Sequence, residues 1–196
     1  MNTLRQKIYE IVRQVYLNGE YKLCDDKRRR IEHIHRVEHL ALTLANETCE
    51  VVDKEILSMG AIMHDIAKYI DQPKHNILGS IITKFLLGDI IDEKTLEDVA
   101  GLVLSHNAKD ITDNNFSIEQ KLLIDADIID KLNLMRFVNA IIDSDDRKTT
   151  LEEFDKIIEK ANCRKDCLCT DIGKKYFKKY YDDVQYFINN YKNQFK

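Results

Sequence analysis

The sequence predicts an all-α chain, and two observations carry that expectation. One proline and six glycines among 196 residues are few breakers for such a length, so long helices are the default. Apolar residues also recur at helical spacing in segment after segment. No internal repeat, low-complexity tract or linker interrupts the pattern. The expectation is therefore one domain over 1–196, a helical bundle with its core at about 31–142 and C-terminal helices over 151–195 packed on it.

Thr3 to Leu17 places Leu4, Ile8, Ile11, Val12 and Val15 on one face, and Asn18-Gly19 is the expected stop. Tyr21 to Arg30 reads as irregular and ends in the basic run Lys27-Arg28-Arg29-Arg30. This run is either a solvated surface or the rim of an anion-binding pocket. Ile31 to Glu50 is the next helix, apolar at Ile34, Val37, Leu40, Ala41, Leu44 and Ala45. His33, His35 and His39 fall near its start. They cannot all face one point, because consecutive helical positions differ by ~100°. His35 and His39 form a one-turn pair, and His33 lies one turn before Val37 on the buried side. Spacing does not choose between them.

Asp53 is a fitting N-cap for a helix running to Tyr69, with Ile56, Leu57, Gly60, Ala61, Met63, Ile66 and Ala67 as a wide apolar stripe. Ile70 to Lys74, with Pro73, is a loop. His75 opens a helix to Gly88-Asp89 in which Gly79 leaves room for close approach. Asp92 to Ser105 follows, with His106 at its end and a polar loop from Asn107 to Asn115. Ser117 and Gln120 form a capping box for a long helix to Ile142. Asp143 to Thr150 is a charged loop, and Leu151 to Lys160 a short helix. Thr170 to Phe195 carries an aromatic stripe from Tyr176 to Phe195 that reads as core packing.

Net charge is -4 and the pI about 5.9, which gives no general electrostatic reason to bind nucleic acid or an anionic membrane. No apolar run approaches the ~20 residues that span a bilayer. The charged start, Met1 to Glu10, has no apolar stretch of the secretory type. The expectation is a cytoplasmic protein with no membrane or nucleic-acid partner. Five cysteines, an odd number, argue against a disulfide framework. The spacing of Cys163, Cys167 and Cys169 matches no common zinc or iron–sulfur pattern, and they read as reduced thiols in a connecting segment whose role the sequence leaves open.

Met63-His64-Asp65-Ile66-Ala67-Lys68 is the stretch that carries chemistry. An imidazole and a carboxylate buried without partners would cost several kcal/mol. A metal ion satisfies both at once. Lys68 follows His64 by one turn, and a cation beside a metal suits a phosphate. The plain alternative is a chance His-Asp pair on a surface helix. A second polar intrusion, Asp125-Ala126-Asp127 with Asp130, lies in the apolar run Leu122 to Ile129. Asp127 and Asp130 share a face there, and Lys131 can pair with one of the acids.

Taken in order, His33, His64-Asp65, His75, His106 and Asp127 resemble the pattern of the HD-domain metal-dependent phosphohydrolase superfamily, in its short single-domain bacterial branch. His33-Ile34-His35-Arg36-Val37 looks like that family's first histidine, His64-Asp65-Ile66-Ala67-Lys68 like its core pair with the trailing lysine, His75-x3-Gly79 like a helix start, and Leu123 to Asp130 like its final aspartate segment. The resemblance covers nearly the whole chain from about His33. It implies an all-α bundle with a central metal site whose primary ligands are His33, His64, Asp65 and Asp127. His35 and His39 are then structural or surface residues. His75 and His106 match positions that hold a second ion bridged by Asp65, or that contact phosphate. Members with that second ion often carry two histidines where this chain has His106-Asn107, so one ion is the expectation and two remain open. Asp65, Lys68 and Asp130 are the implied catalytic group, and Lys68 and Arg36 the phosphate contacts, with Arg28 to Arg30 as further candidates.

A divalent ion in such a site lowers the pKa of a water and neutralises phosphoryl charge. The donor set suits Mn, Fe, Ni, Co, Zn or Mg alike. The implied activity is hydrolysis of a phosphoester or phosphoanhydride in a nucleotide-type substrate. Two alternatives are a symmetrical dinucleoside tetraphosphatase and a non-catalytic metal- or nucleotide-binding regulatory module. A second copy of the chain, as a homodimer, is the one macromolecular partner left open. A helical bundle with scattered buried histidines would hold no metal.

Overall fold

The computed structural model describes residues 3–18, 24–107 and 115–194. The expected stop at Gly19, residues 21–23, the polar loop at 108–114 and Phe195 lie outside the described residues. The helices are α1 (Leu4–Asn18), α2 (Cys24–Glu47), α3 (Lys54–Met63), α4 (His75–Leu87), α5 (Glu93–Ser105), α6 (Ile118–Asp130), α7 (Leu134–Asp143), α8 (Arg147–Asn162) and α9 (Asp171–Asn193), with one 3₁₀ turn at Lys165–Cys167. Among the described residues there is no strand, and no helix is long and apolar enough to cross a membrane.

Two apolar clusters flank α2. Ile34 joins Ile8, Val12 and Tyr16 of α1 to Ile62, Met63, Val99 and Val103 of α3 and α5. Val37, Ala41 and Leu44 join Leu123, Ile128, Phe137, Phe154, Phe177 and Val184 of α6 to α9. Residues three apart on one helix thus serve two cores, and the polar centre lies where the helices from both sides meet.

Local chemistry explains most boundaries. Asp53 caps α3 by accepting from the backbone N–H groups of Glu55 and Ile56, and Ser117 with Gln120 forms the expected capping box of α6. Four boundaries differ from expectation. The irregular stretch before Ile31 is helical from Cys24 onward, because charged residues are as compatible with helix as apolar ones. The helix expected to reach Tyr69 ends at Met63. Beyond it, Ile66, Lys68 and Ile70 each donate to the carbonyl three residues back, at 2.9, 2.8 and 3.0 Å. The Asp65 carbonyl, which a continuing α-helix would give to Tyr69, instead accepts from Lys68 and from the Tyr16 hydroxyl at 2.6 Å.

The long helix expected over Ser117 to Ile142 is broken. Lys131, Leu132 and Asn133 donate three residues back, and the Asn133 side chain then caps α7 through the Met135 N–H at 2.9 Å. Finally, α8 starts at Arg147, where Asp146 accepts from the Thr149 N–H, so the charged loop is shorter than expected.

Asp125 has a structural explanation. It turns away from Asp127 and accepts from the Cys169 N–H (2.6 Å), the Thr170 N–H (3.0 Å) and the Thr170 hydroxyl (2.6 Å). It therefore fastens the N-terminus of α9 to α6. The four described cysteine side chains, Cys49, Cys163, Cys167 and Cys169, are free thiols, and none belongs to a group of converging metal-ligand atoms.

Candidate metal centre

Five elements deliver the polar groups: α2 brings His33, the turns after α3 bring His64 and Asp65, α4 opens with His75, His106 caps the C-terminus of α5, and the last turn of α6 carries Asp127 and Asp130. His33, His64, Asp65, His75, His106 and Asp130 are all buried. Gly79 lets α4 approach α5, since a Cβ there would meet Val103 Cγ1 at 3.1 Å. That approach brings Nε2 of His75 within 3.0 Å of Nε2 of His106.

Each imidazole is oriented by its Nδ1. His64 donates to the Ala61 carbonyl (2.7 Å), His75 to the Gln72 carbonyl (2.7 Å) and His106 to the Val103 carbonyl (2.6 Å). A carbonyl only accepts, so the Nδ1 proton is assigned and Nε2 carries a lone pair in the neutral ring. His33 uses Nδ1 on the Asp130 carboxylate at 2.7 Å. The Nε2 atoms converge in two pairs: His33 with His64 at 3.2 Å, and His75 with His106.

Asp65 stands between the pairs. Its Oδ2 lies 3.5 Å from His33 Nε2 and 3.6 Å from His64 Nε2. Its Oδ1 lies 3.2 Å from His75 Nε2 and 3.6 Å from His106 Nε2. Asp127 Oδ1 adds a further oxygen 3.5 Å from His33 Nε2. Two groups of converging ligand atoms result, His33 with His64 and Asp127, and Asp65 with His75 and His106.

The donor set fits a cation. Facing lone pairs repel, and a cation between them turns that repulsion into coordination. Without a metal, protons and side-chain cations are the substitutes. Burial works against a charge on His33, yet Asp130, Asp65 and Asp127 outweigh it and raise its pKa. Burial, reinforced by His106 and His33 and only partly offset by Asp65, pushes His64 down to about 3. Burial would raise Asp65, but His64, His106, His33 and His75 hold it well below the usual carboxylate range. Asp127 is likewise held down, by Lys131 and His33 against its own burial.

Cations ring the centre. Lys68 Nζ lies 3.0 Å from His75 Nε2 and 3.5 Å from Asp65 Oδ1. Arg30 donates to Asp65 Oδ2 at 2.5 Å. Arg36 forks onto Asp130 at 2.8 and 3.2 Å, and Arg136 donates to the Asp130 carbonyl at 3.1 Å. Lys131 pairs with Asp127 at 2.9 Å. A cleft of about 310 Å³ opens beside His33, lined among others by Arg29, Arg30, Arg36, Tyr69, Arg136 and Asn139.

The structure therefore brings His33, His64, Asp65, His75, His106 and Asp127 together, with Lys68 beside them. It leaves His35 and His39 exposed outside the centre, with His35 against the Tyr9 ring at 4.3 Å. Asp130, named with the candidate catalytic groups, stands behind His33 on its Nδ1 side. Sequence reasoning did not reach the Arg30–Asp65 pair, Arg136 or the Tyr16 hydroxyl. Arg30 lies three residues before His33, one helical turn away. Apolar periodicity does not show that signal, because the residues before Ile31 are charged.

Comparisons with known proteins bear on the family and the fold. The model of the HD domain family matches residues 30–132. A solved structure of a predicted HD superfamily hydrolase from an uncultured Thermotogales bacterium superposes with a TM-score of 0.69. It shares 20% identity, over 97% of this chain and 92% of that chain. No curated protein matches the chain.

Proposed function

The chain belongs to the HD-domain family, and from that premise we propose that it is a metal-dependent phosphohydrolase acting on a nucleotide-type substrate. The observation that carries this reading is the convergence of four Nδ1-anchored imidazoles on the two oxygens of one buried aspartate. His33, His64, Asp65 and Asp127 would hold one divalent ion, and His75 and His106 with Asp65 would hold a second. When bound, such ions supply an activated water and neutralise charge that develops on phosphoryl oxygens.

The chain's own residues supply the rest. Lys68, 3.0 Å from His75 Nε2, is the proposed cation that neutralises a phosphoryl oxygen. Arg36 and Arg30 line the cleft beside His33 and are the proposed phosphate contacts, because forked guanidinium donors suit phosphate oxygens. Asp130 is a positioning residue that orients His33 and increases its basicity as a ligand. Asp65 is the carboxylate nearest to both halves and the proposed orienter of the attacking water.

Elemental analysis of wild type and of the double variant His64→Ala/Asp65→Ala tests the reading, with the same samples assayed on a panel of nucleotides and phosphoesters in added Mn²⁺. The expected result is one or two metals per chain, lost with turnover in the variant. Release of two nucleoside diphosphates from a dinucleoside tetraphosphate would identify the tetraphosphatase activity. Metal uptake with nucleotide binding but no turnover would replace the enzyme with a regulatory module.

A further inference from the structure

Arg30 holds the Asp65 oxygen that faces the His33–His64 pair. Its Nη1 lies 2.5 Å from Asp65 Oδ2, and that same oxygen faces His33 at 3.5 Å and His64 at 3.6 Å. A divalent ion held by those two imidazoles would share Oδ2 with a guanidinium in direct contact. At a few ångströms in a buried site, like charges repel strongly. The two cations would therefore compete for one oxygen.

Three further observations bear on where Arg30 goes. Its Nε is buried and has no hydrogen-bond partner among the described residues, and an orphaned buried donor is costly to retain. Its guanidinium carbon stands 5.6 Å from the Tyr69 ring centroid, a cation–π contact independent of Asp65. It lines the cleft together with Arg36 and Arg136, and both of those are engaged with Asp130. Arg30 is thus the guanidinium of this group whose carboxylate partner lies inside the metal centre.

We propose that Arg30 is an interlock between metal and substrate: it neutralises Asp65 until metal binds, and is then released to the cleft as the phosphate-binding fork. The inference rests on the metal-centre reading above. Its consequence is an order of binding. The anion site beside His33 is complete only after Asp65 has exchanged the guanidinium for metal. The buried carboxylate is never left without a cation, which keeps the metal-free protein folded.

The test uses the full-length protein and does not depend on turnover. Phenylglyoxal labelling of Arg30 is followed by peptide mass spectrometry that resolves it from Arg28 and Arg29, without metal, with Mn²⁺, and with Mn²⁺ plus inorganic phosphate. Mn²⁺ should speed labelling about fivefold or more, and phosphate should slow it again. In parallel, Arg30→Met should take up Mn²⁺ about tenfold more tightly than wild type by calorimetry, because the competing cation is gone. Labelling that is unchanged or slowed by Mn²⁺, or weaker uptake by a folded Arg30→Met, would make Arg30 a fixed support of Asp65 and overturn the interlock alone. If Arg30→Met does not fold, the wild-type labelling decides. No Mn²⁺ uptake by wild type would overturn the metal centre and the interlock together.

Discussion

Nδ1 of His33 donates to Oδ2 of Asp130 across 2.7 Å, a contact that joins the start of α2 to the end of α6. Asp127, one turn earlier, faces Nε2 of the same ring at 3.5 Å. Two acids at i and i+3 thus address opposite nitrogens of one imidazole. Asp130→Asn keeps the shape but removes the charge that strengthens His33 as a ligand. Metal affinity should fall roughly 10- to 100-fold, as for other groups that orient a ligating histidine. Mn²⁺ titration calorimetry on the variant checks this, and an unchanged affinity would show that the contact is only structural.

His64 makes the metal-free protein sensitive to acid. Its pKa in the fold is pushed down to about 3, against ~6.5 in the unfolded chain. The unfolded chain therefore binds the extra proton first, and stability is lost as pH falls below ~6.5. His33 acts in the opposite sense. Its raised pKa adds stability that is complete below ~6.5 and disappears as pH rises through the folded value. With chelator present, urea unfolding at pH 7 and pH 5 should give a loss for wild type that is larger by about 2 kcal/mol than for His64→Gln. Equal losses in the two proteins would remove His64 as the cause.

Arg5 ties α1 to the rest of the bundle. Its guanidinium forks onto Glu38 at 2.6 Å through each bond, and Glu38 also accepts from the Ser58 hydroxyl at 2.5 Å. Glu38 is buried, whereas Arg5 is about half exposed. Arg5→Met leaves a buried carboxylate with one neutral donor. The expected loss is about 2 kcal/mol, below the figure for a fully buried pair because solvent reaches Arg5. Denaturant unfolding measures it, and a loss under about 0.5 kcal/mol would place the pair with ordinary surface ion pairs.

Gly173 sits where α9 meets Asp125. A Cβ there would overlap the Asp125 carboxyl group, reaching even its Cγ at 2.5 Å. Burial already pushes Asp125 up to about 6, against the hydrogen bonds from Thr170 and Cys169. Gly173→Ala should displace the carboxylate from those donors and cost about 1–3 kcal/mol, read as a lower melting temperature. A melting temperature at or above that of wild type would mean that α9 shifts freely on α6.

Much of the fold was legible without coordinates, because caps and apolar spacing are local. Asp53 opening α3 and the Ser117–Gln120 box opening α6 depend on residues within one turn. The break at Asn133 was not legible. An apolar pattern continues across it, and only the capping of Met135 shows that asparagine ends one helix and begins another. Charged residues before Ile31 hid the first turns of α2 for the same kind of reason, since periodicity needs apolar residues to be seen.

The sequence by itself determined the helical class and the order of histidines and aspartates, because residue type and spacing along a helix are local properties. Only the tertiary structure decided which oxygen of Asp65 faces which pair of imidazoles, that Asp130 stands behind His33, and that Arg30 lies on Asp65. The longest of those relations, His33 with Asp130, joins residues 97 positions apart. All of them follow from how α2, the turns after α3, α4, α5 and α6 pack around one point, and spacing along the chain does not encode them.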